Sequence, residues 1–90
     1  KPQLLKAKKS GNGKVTLNWS KRSGTDGYVI YMRTNTGKYE KIDTKSAKTV
    51  TYTKSKLKKG RSYTFKMRGY HKVGSKRIYS SYSVTKKVKL

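Results

Sequence analysis

The chain has no cysteine, one proline, one histidine and three acidic residues among its 90 positions. Without cysteine there is neither a disulfide frame nor a thiolate metal site, and the redox compartment goes unread. The scarcity of titratable groups also narrows the chemistry. Acid–base or nucleophilic catalysis needs such a group beside partners that tune it, and the candidates are His71, Asp26, Glu40 and Asp43. His71 reads as a strand-end or loop histidine, and Asp26, just before Gly27, as a turn residue that caps backbone. Glu40 and Asp43 lack partners for a metal site, and a strongly cationic surrounding drives both toward ionisation, against the raised pKa that a glycosidase acid requires. The glycine patterns of phosphate-binding and dinucleotide-binding loops are missing as well. The expectation is a non-enzyme with no cofactor and no bound metal. No apolar run approaches the roughly 20 residues that span a bilayer, so membrane insertion is not expected, and no leader-like apolar stretch opens the sequence. The start at Lys1 and Pro2 reads as a boundary within a longer multidomain protein, with residues 1–90 forming a single domain.

What is abundant is positive charge. Twenty-five Lys and Arg give a net charge of +22, spread along the chain rather than gathered in a tail. Low hydropathy with high net charge is also the signature of disorder. Eight tyrosines, Trp19 and Phe65 oppose that reading, because large rings fill a small interior efficiently.

Their placement is periodic. Alternation with a period of two dominates, and helix periodicity with caps is absent, so the chain reads as all-β. Leu5 and Ala7 alternate with lysines in a first strand, which Pro2 introduces and the turn at residues 10–13 ends. Val15, Leu17 and Trp19 form one apolar face of a second strand. A turn cluster at residues 23–27 leads to a third strand at 28–33, and Asn35, Thr36 and Gly37 make a hairpin turn into a fourth at 38–42. A β-branched fifth strand covers residues 49–53, and a long sixth covers 63–70, with large residues at odd positions. After a loop through Gly74, Val84, Val88 and Leu90 mark a seventh strand at 83–90. Seven short strands with regular turn signals favour a sandwich or small barrel over any α/β arrangement.

Trp19, the run Gly27-Tyr28-Val29-Ile30-Tyr31, and the segment from Leu57 to Tyr70 together resemble the fibronectin type III family over the full length, which implies an all-β, seven-stranded, two-sheet antiparallel β-sandwich of immunoglobulin-like type. The most specific part is Leu57 followed six residues later by Tyr63, which resembles the tyrosine corner of these sandwiches. There the hydroxyl bonds a backbone group just upstream. Ser81-Tyr82-Ser83 is similar to the family's approach to its last strand. The Lys-rich and Tyr-rich texture further resembles repeats of secreted, wall-associated Gram-positive proteins, which implies an extracellular or cell-wall location and neighbouring domains in the same chain. By the same resemblance Tyr28, Ile30 and Met32 point inward and Trp19, Tyr28, Ile30, Leu57, Tyr63 and Phe65 build the fold. Trp19 shares a face with Val15 and Leu17, so it reads as core rather than as a sugar platform. Gly69 is expected where space is tight.

The opposite register carries the candidate site. Tyr31, Arg33, Tyr39, Lys41, Lys66, Arg68 and Tyr70 are expected to face solvent from neighbouring strands. Such a surface suits phosphate or carboxylate groups, with rings free to stack on sugars or bases, or else simple cross-strand pairing in which aromatics cover cation stems. Further basic groups are Lys54, Lys56, Lys58, Lys59 and Arg61, and Lys72, Lys76 and Arg77 near the loop through Gly74. With a screening length of about 8 Å, charges on opposite faces act through local density, so attraction should be diffuse and salt-sensitive. No Arg-Gly-Asp stands in the loop Val73-Gly74-Ser75. Three functions stay open: a monomeric spacer and adhesion module held to anionic polysaccharide or teichoic acid, a nucleic-acid-binding basic β-domain, and a purely structural spacer.

Overall fold

The structure, a computed structural model, describes residues 4–20, 24–80 and 85–90. The expectations for Lys1, Pro2, Ser23, Val84 and the Ser81-Tyr82-Ser83 segment lie outside the described residues. Strands follow in chain order as β1 (Leu4–Gly11), β2 (Lys14–Trp19), β3 (Gly27–Thr34), β4 (Glu40–Ser46), β5 (Thr51–Lys54), β6 (Ser62–Val73), β7 (Lys76–Tyr79) and β8 (Lys86–Lys89). One antiparallel sheet has the order β1-β2-β5 and the other β4-β3-β6-β7, with β8 also paired to β6. Within the last strand expected at 83–90 the described residues contain β8, and β7 is an additional strand where a loop was expected. β6 runs on past Tyr70 to Val73 and turns at Gly74, where φ is 63°, into β7, and β8 then pairs with the other end of β6. The residues expected to loop at 72–77 thus lie largely in a hairpin.

The alternation read in the sequence is the pleat of the sandwich. Val15, Leu17 and Trp19 of β2, Tyr28 and Ile30 of β3, and Tyr63, Phe65 and Met67 of β6 are buried in one cluster with Val88. Met32, Ile42, Tyr52, Leu57 and Leu90 pack at its margin. Trp19 and Tyr28 meet as tilted rings with centroids 5.8 Å apart, so the two sheets are joined by an aromatic contact of the favoured geometry. The indole N–H of Trp19 is buried without an acceptor among the described residues.

The corner between β5 and β6 is closed by Tyr63. Its side chain is buried, and its hydroxyl accepts the backbone N–H of Lys58 at 2.8 Å. This is the bond that the resemblance implied. Asp26 also does what its turn position suggested, but across strands. Its carboxylate accepts the N–H of Lys72 at 2.6 Å while its own N–H donates to the Tyr70 carbonyl at 2.8 Å, so it extends the pairing of β3 with β6 by one step. Gly69 is confined as expected: a Cβ there would stand 3.0 Å from Thr25 Cγ2, and Ser80 brackets its backbone by accepting at 3.0 Å and donating at 2.9 Å.

Candidate polyanion-binding face

The register of β3 against β6 pairs Val29 with Arg68, Tyr31 with Lys66 and Arg33 with Thr64, so these residues share the face turned away from the core. On β7, Tyr79 pairs with Tyr70 and Arg77 with Lys72, which extends the same face by one strand. Tyr39 joins it from the turn between β3 and β4. That strand begins at Glu40, later than the sequence pattern placed it, so Tyr39 precedes it. Lys41 stands opposite Tyr31 on β4 and is exposed.

Cations and rings interleave across this face. Lys66 Nζ sits 4.0 Å from the centre of the Tyr39 ring, and the Arg33 guanidinium lies 5.2 Å from the same centre. Arg68 lies 4.1 Å from the Tyr79 centre and 5.5 Å from that of Tyr31, whose hydroxyl accepts its Nε–H at 3.2 Å. Arg77 lies 4.5 Å from the centre of Tyr70. All five distances fall inside the roughly 6 Å over which a ring quadrupole attracts a cation. The packing is tight enough to bury Val29 to 2% exposure although it points away from the core. A layer of side chains covers the sheet where a solvated surface was one expectation.

One placement corrects the sequence reading. Tyr70 was expected to face solvent, and it does lie on the outer face, but it is only 8% exposed. Its partner on β3 is Gly27, whose missing side chain leaves room for the phenol ring against the strand. A Cβ at Gly27 would overlap the ring, at 2.6 Å from Cζ and 2.7 Å from Cε2. The Tyr79 ring, 6.1 Å away and tilted by 58°, closes over the other side. Tyr79 and Arg77 belong to this layer, and the sequence reading did not place them in it. The signal that could have found them is the alternation of Arg77 and Tyr79 around Ile78 just after Gly74, the mark of a hairpin rather than a loop.

The remaining chemistry-bearing residues stay apart. Asp43 pairs with Lys45 at 3.2 Å, and the same ammonium lies 4.9 Å from the centre of the Tyr52 ring. Burial, then the Asp43 charge, raises the Tyr52 hydroxyl above its usual 10.0. His71 is exposed opposite Ile78, beside a shallow cavity of about 260 Å³ near Thr25 and Ser80. No group of three or more His, Asp or Glu that could hold a metal stands together among the described residues.

The two sheets, their strand order and the tyrosine corner agree with the comparison to known families, in which the model of the fibronectin type III domain matches residues 1–86. The chain belongs to the fibronectin type III family. Solved structures agree on the fold of this fibronectin type III domain. One described as a myokine superposes with a TM-score of 0.74 at 13% identity, covering 98% of this chain and 93% of that one. Another, described as FN3tt, gives 0.66 at 20% identity over 98% and 95% of the two chains. A mutated form of FN3tt gives 0.62 at 21% identity over 97% and 91%. No curated protein sequence matches the chain. Fibronectin type III domains are generally structural or binding modules rather than catalysts.

Proposed function

We propose that this domain is a non-catalytic extracellular module that spaces its neighbours in the chain and attaches weakly to anionic wall polymers such as teichoic acid, or to acidic glycans. The observation that carries this reading is the charge balance. Twenty-five bases against three carboxylates cannot be neutralised within the chain, so +22 is left for external counter-ions. The few acids are also engaged locally, Asp43 with Lys45 and Asp26 with the backbone of Lys72. A polyanion that replaces small counter-ions gains charge-assisted hydrogen bonds at many exchangeable points and gives salt-sensitive, low-specificity retention. The extracellular, wall-associated setting rests on the resemblance to wall-associated repeats.

Retention on immobilised teichoic acid and on heparin tests the reading. The domain should bind both at low salt and elute before about 0.5 M, where the screening length has shrunk to roughly 4 Å. Absence of binding at low salt, or retention unchanged by salt, contradicts electrostatic attachment. Selective, saturating binding to RNA under the same conditions, with the glycans inert, would establish the nucleic-acid reading in its place.

A further inference from the structure

We infer that the outer face of β3, β6 and β7 is a strip that holds a linear phosphate-bearing polymer without bases, gripping its phosphates through Arg33, Lys66, Arg68 and Arg77 rather than by stacking. The inference rests on the attachment to polyanions proposed above and assigns that attachment to one face and one chemistry.

Open rings mark surfaces that bind single-stranded nucleic acids or sugars, because each base or pyranose needs an aromatic face to lie on. Here each of the four rings already has a cation beside it, and of the four Tyr79 keeps the most open surface at 41% exposure. Tyr39 carries Lys66 and Arg33, Tyr31 and Tyr79 flank Arg68, and Tyr70 is buried under Arg77 and Tyr79. What the layer turns toward a ligand is a set of cations, with the rings serving as their seats. Seating also changes the entropy of capture. A free lysine or arginine loses much rotamer freedom when it grips an anion, whereas a side chain already packed against a ring has lost most of it on folding. The half-buried Arg33, Lys66 and Arg68 are therefore better prepared than the cations around the β5–β6 turn, where Lys56, Lys58, Lys59 and Arg61 are exposed.

Geometry favours a linear partner. Lys66 and Arg68 are two residues apart on β6, so their positions repeat by about 7 Å along the strand. Arg33 continues the row on β3 at one end, and Arg77 on β7 at the other. Guanidinium groups suit phosphate oxygens because their donors form a planar fork. Arg33 has a further reason to take an oxyanion. Its Nε is buried without an acceptor among the described residues, and a phosphate that draws the guanidinium outward would supply one.

Two measurements test this. The first uses the unaltered domain with a single-stranded oligonucleotide, an abasic oligomer of the same length and charge, and a poly(glycerol phosphate). The abasic oligomer and the polyol phosphate should bind as tightly as the base-bearing strand, within about twofold. A gain from bases of fivefold or more, the smallest effect that one stacked base provides, overturns the inference. The second compares two variants that lose the same charge, Arg33→Gln/Lys66→Gln/Arg68→Gln and Lys56→Gln/Lys58→Gln/Lys59→Gln, each checked for its fold by thermal unfolding. The strip variant should lose tenfold or more in affinity for the polyol phosphate, and the turn variant about threefold or less. Equal losses refute the strip while leaving diffuse attachment intact. If the unaltered domain binds none of these polymers at low salt, the proposed function itself fails.

Discussion

Replacing Gly27 by alanine probes the outer layer through a single methyl group. Gly27 is a buried strand residue outside the positive-φ region, so its backbone accepts alanine, and the lower entropy of the unfolded chain would by itself stabilise the domain by roughly 0.4–1 kcal/mol. The methyl, however, would stand 2.6 Å from Tyr70 Cζ, far inside van der Waals contact. Tyr70 cannot simply retreat, because Tyr79 and Arg77 close over it. The ring must leave its bed or the strands must part, and overpacking of this kind costs about 1–3 kcal/mol. The net expectation is a loss of about 1–2 kcal/mol, and for a domain of this size each kcal/mol lowers Tm by roughly 4–8 °C. Urea and thermal unfolding should be measured for Gly27→Ala both alone and in a Tyr70→Ala background. With the ring removed, the same methyl should become neutral or stabilising, so the sign of its effect reverses. An equal penalty in both backgrounds would refute the account, since the cost would then lie in the backbone and not under Tyr70.

Three further outcomes follow from the same geometry. Tyr63→Phe removes the hydroxyl that accepts the Lys58 N–H, and because Lys58 is exposed its N–H passes to water, so the loss should be about 1 kcal/mol by urea titration. With a net charge of +22 pressing on a compact state, Tm should rise between low and moderate ionic strength, and scanning calorimetry would detect a flat or falling Tm. Tyr52 has its pKa raised by burial and by Asp43, so its neutral form is favoured in the folded state; that contribution is complete below pH 10.0 and is lost as pH rises through the elevated value. Tyr52→Phe should accordingly remove a component that titrates above pH 10.0 from the tyrosinate absorbance of the folded domain, and loss of a component below that pH would contradict the assignment.

The fold was legible wherever one face of a strand is apolar and the other wet. Val15, Leu17 and Trp19, or Tyr63, Phe65 and Met67, announce an inner face because burial acts on alternate residues. The tyrosine corner was legible for another reason, as a specific side chain at a specific spacing closes it. The strand β7 was missed because it is exposed along its whole length and carries no burial alternation, so Gly74 and the alternation of Arg77 and Tyr79 around Ile78 are what mark the hairpin. Edges drifted for similar reasons: β4 begins at Glu40 and runs to Ser46, where a mixture of exposed and half-buried residues blurs the period. The members of the outer face on β3 and β6 could be read from register alone. Their mutual packing could not, because burial of Tyr70 depends on what a neighbouring strand lacks at Gly27, and the seats of Arg68 depend on Tyr79 arriving from a strand that the pattern did not reveal.

The most direct measurement of the central claim is a residue-resolved NMR titration of the domain with poly(glycerol phosphate) at low salt, following backbone amides and arginine side-chain Nε–H signals. The account predicts saturable shifts concentrated on β3, β6 and β7, with the Nε–H signals of Arg33, Arg68 and Arg77 among the most affected. Shifts spread evenly over the exposed lysines of both sheets, with Lys6, Lys8 and Lys9 on β1 responding as strongly as Lys66, would contradict it.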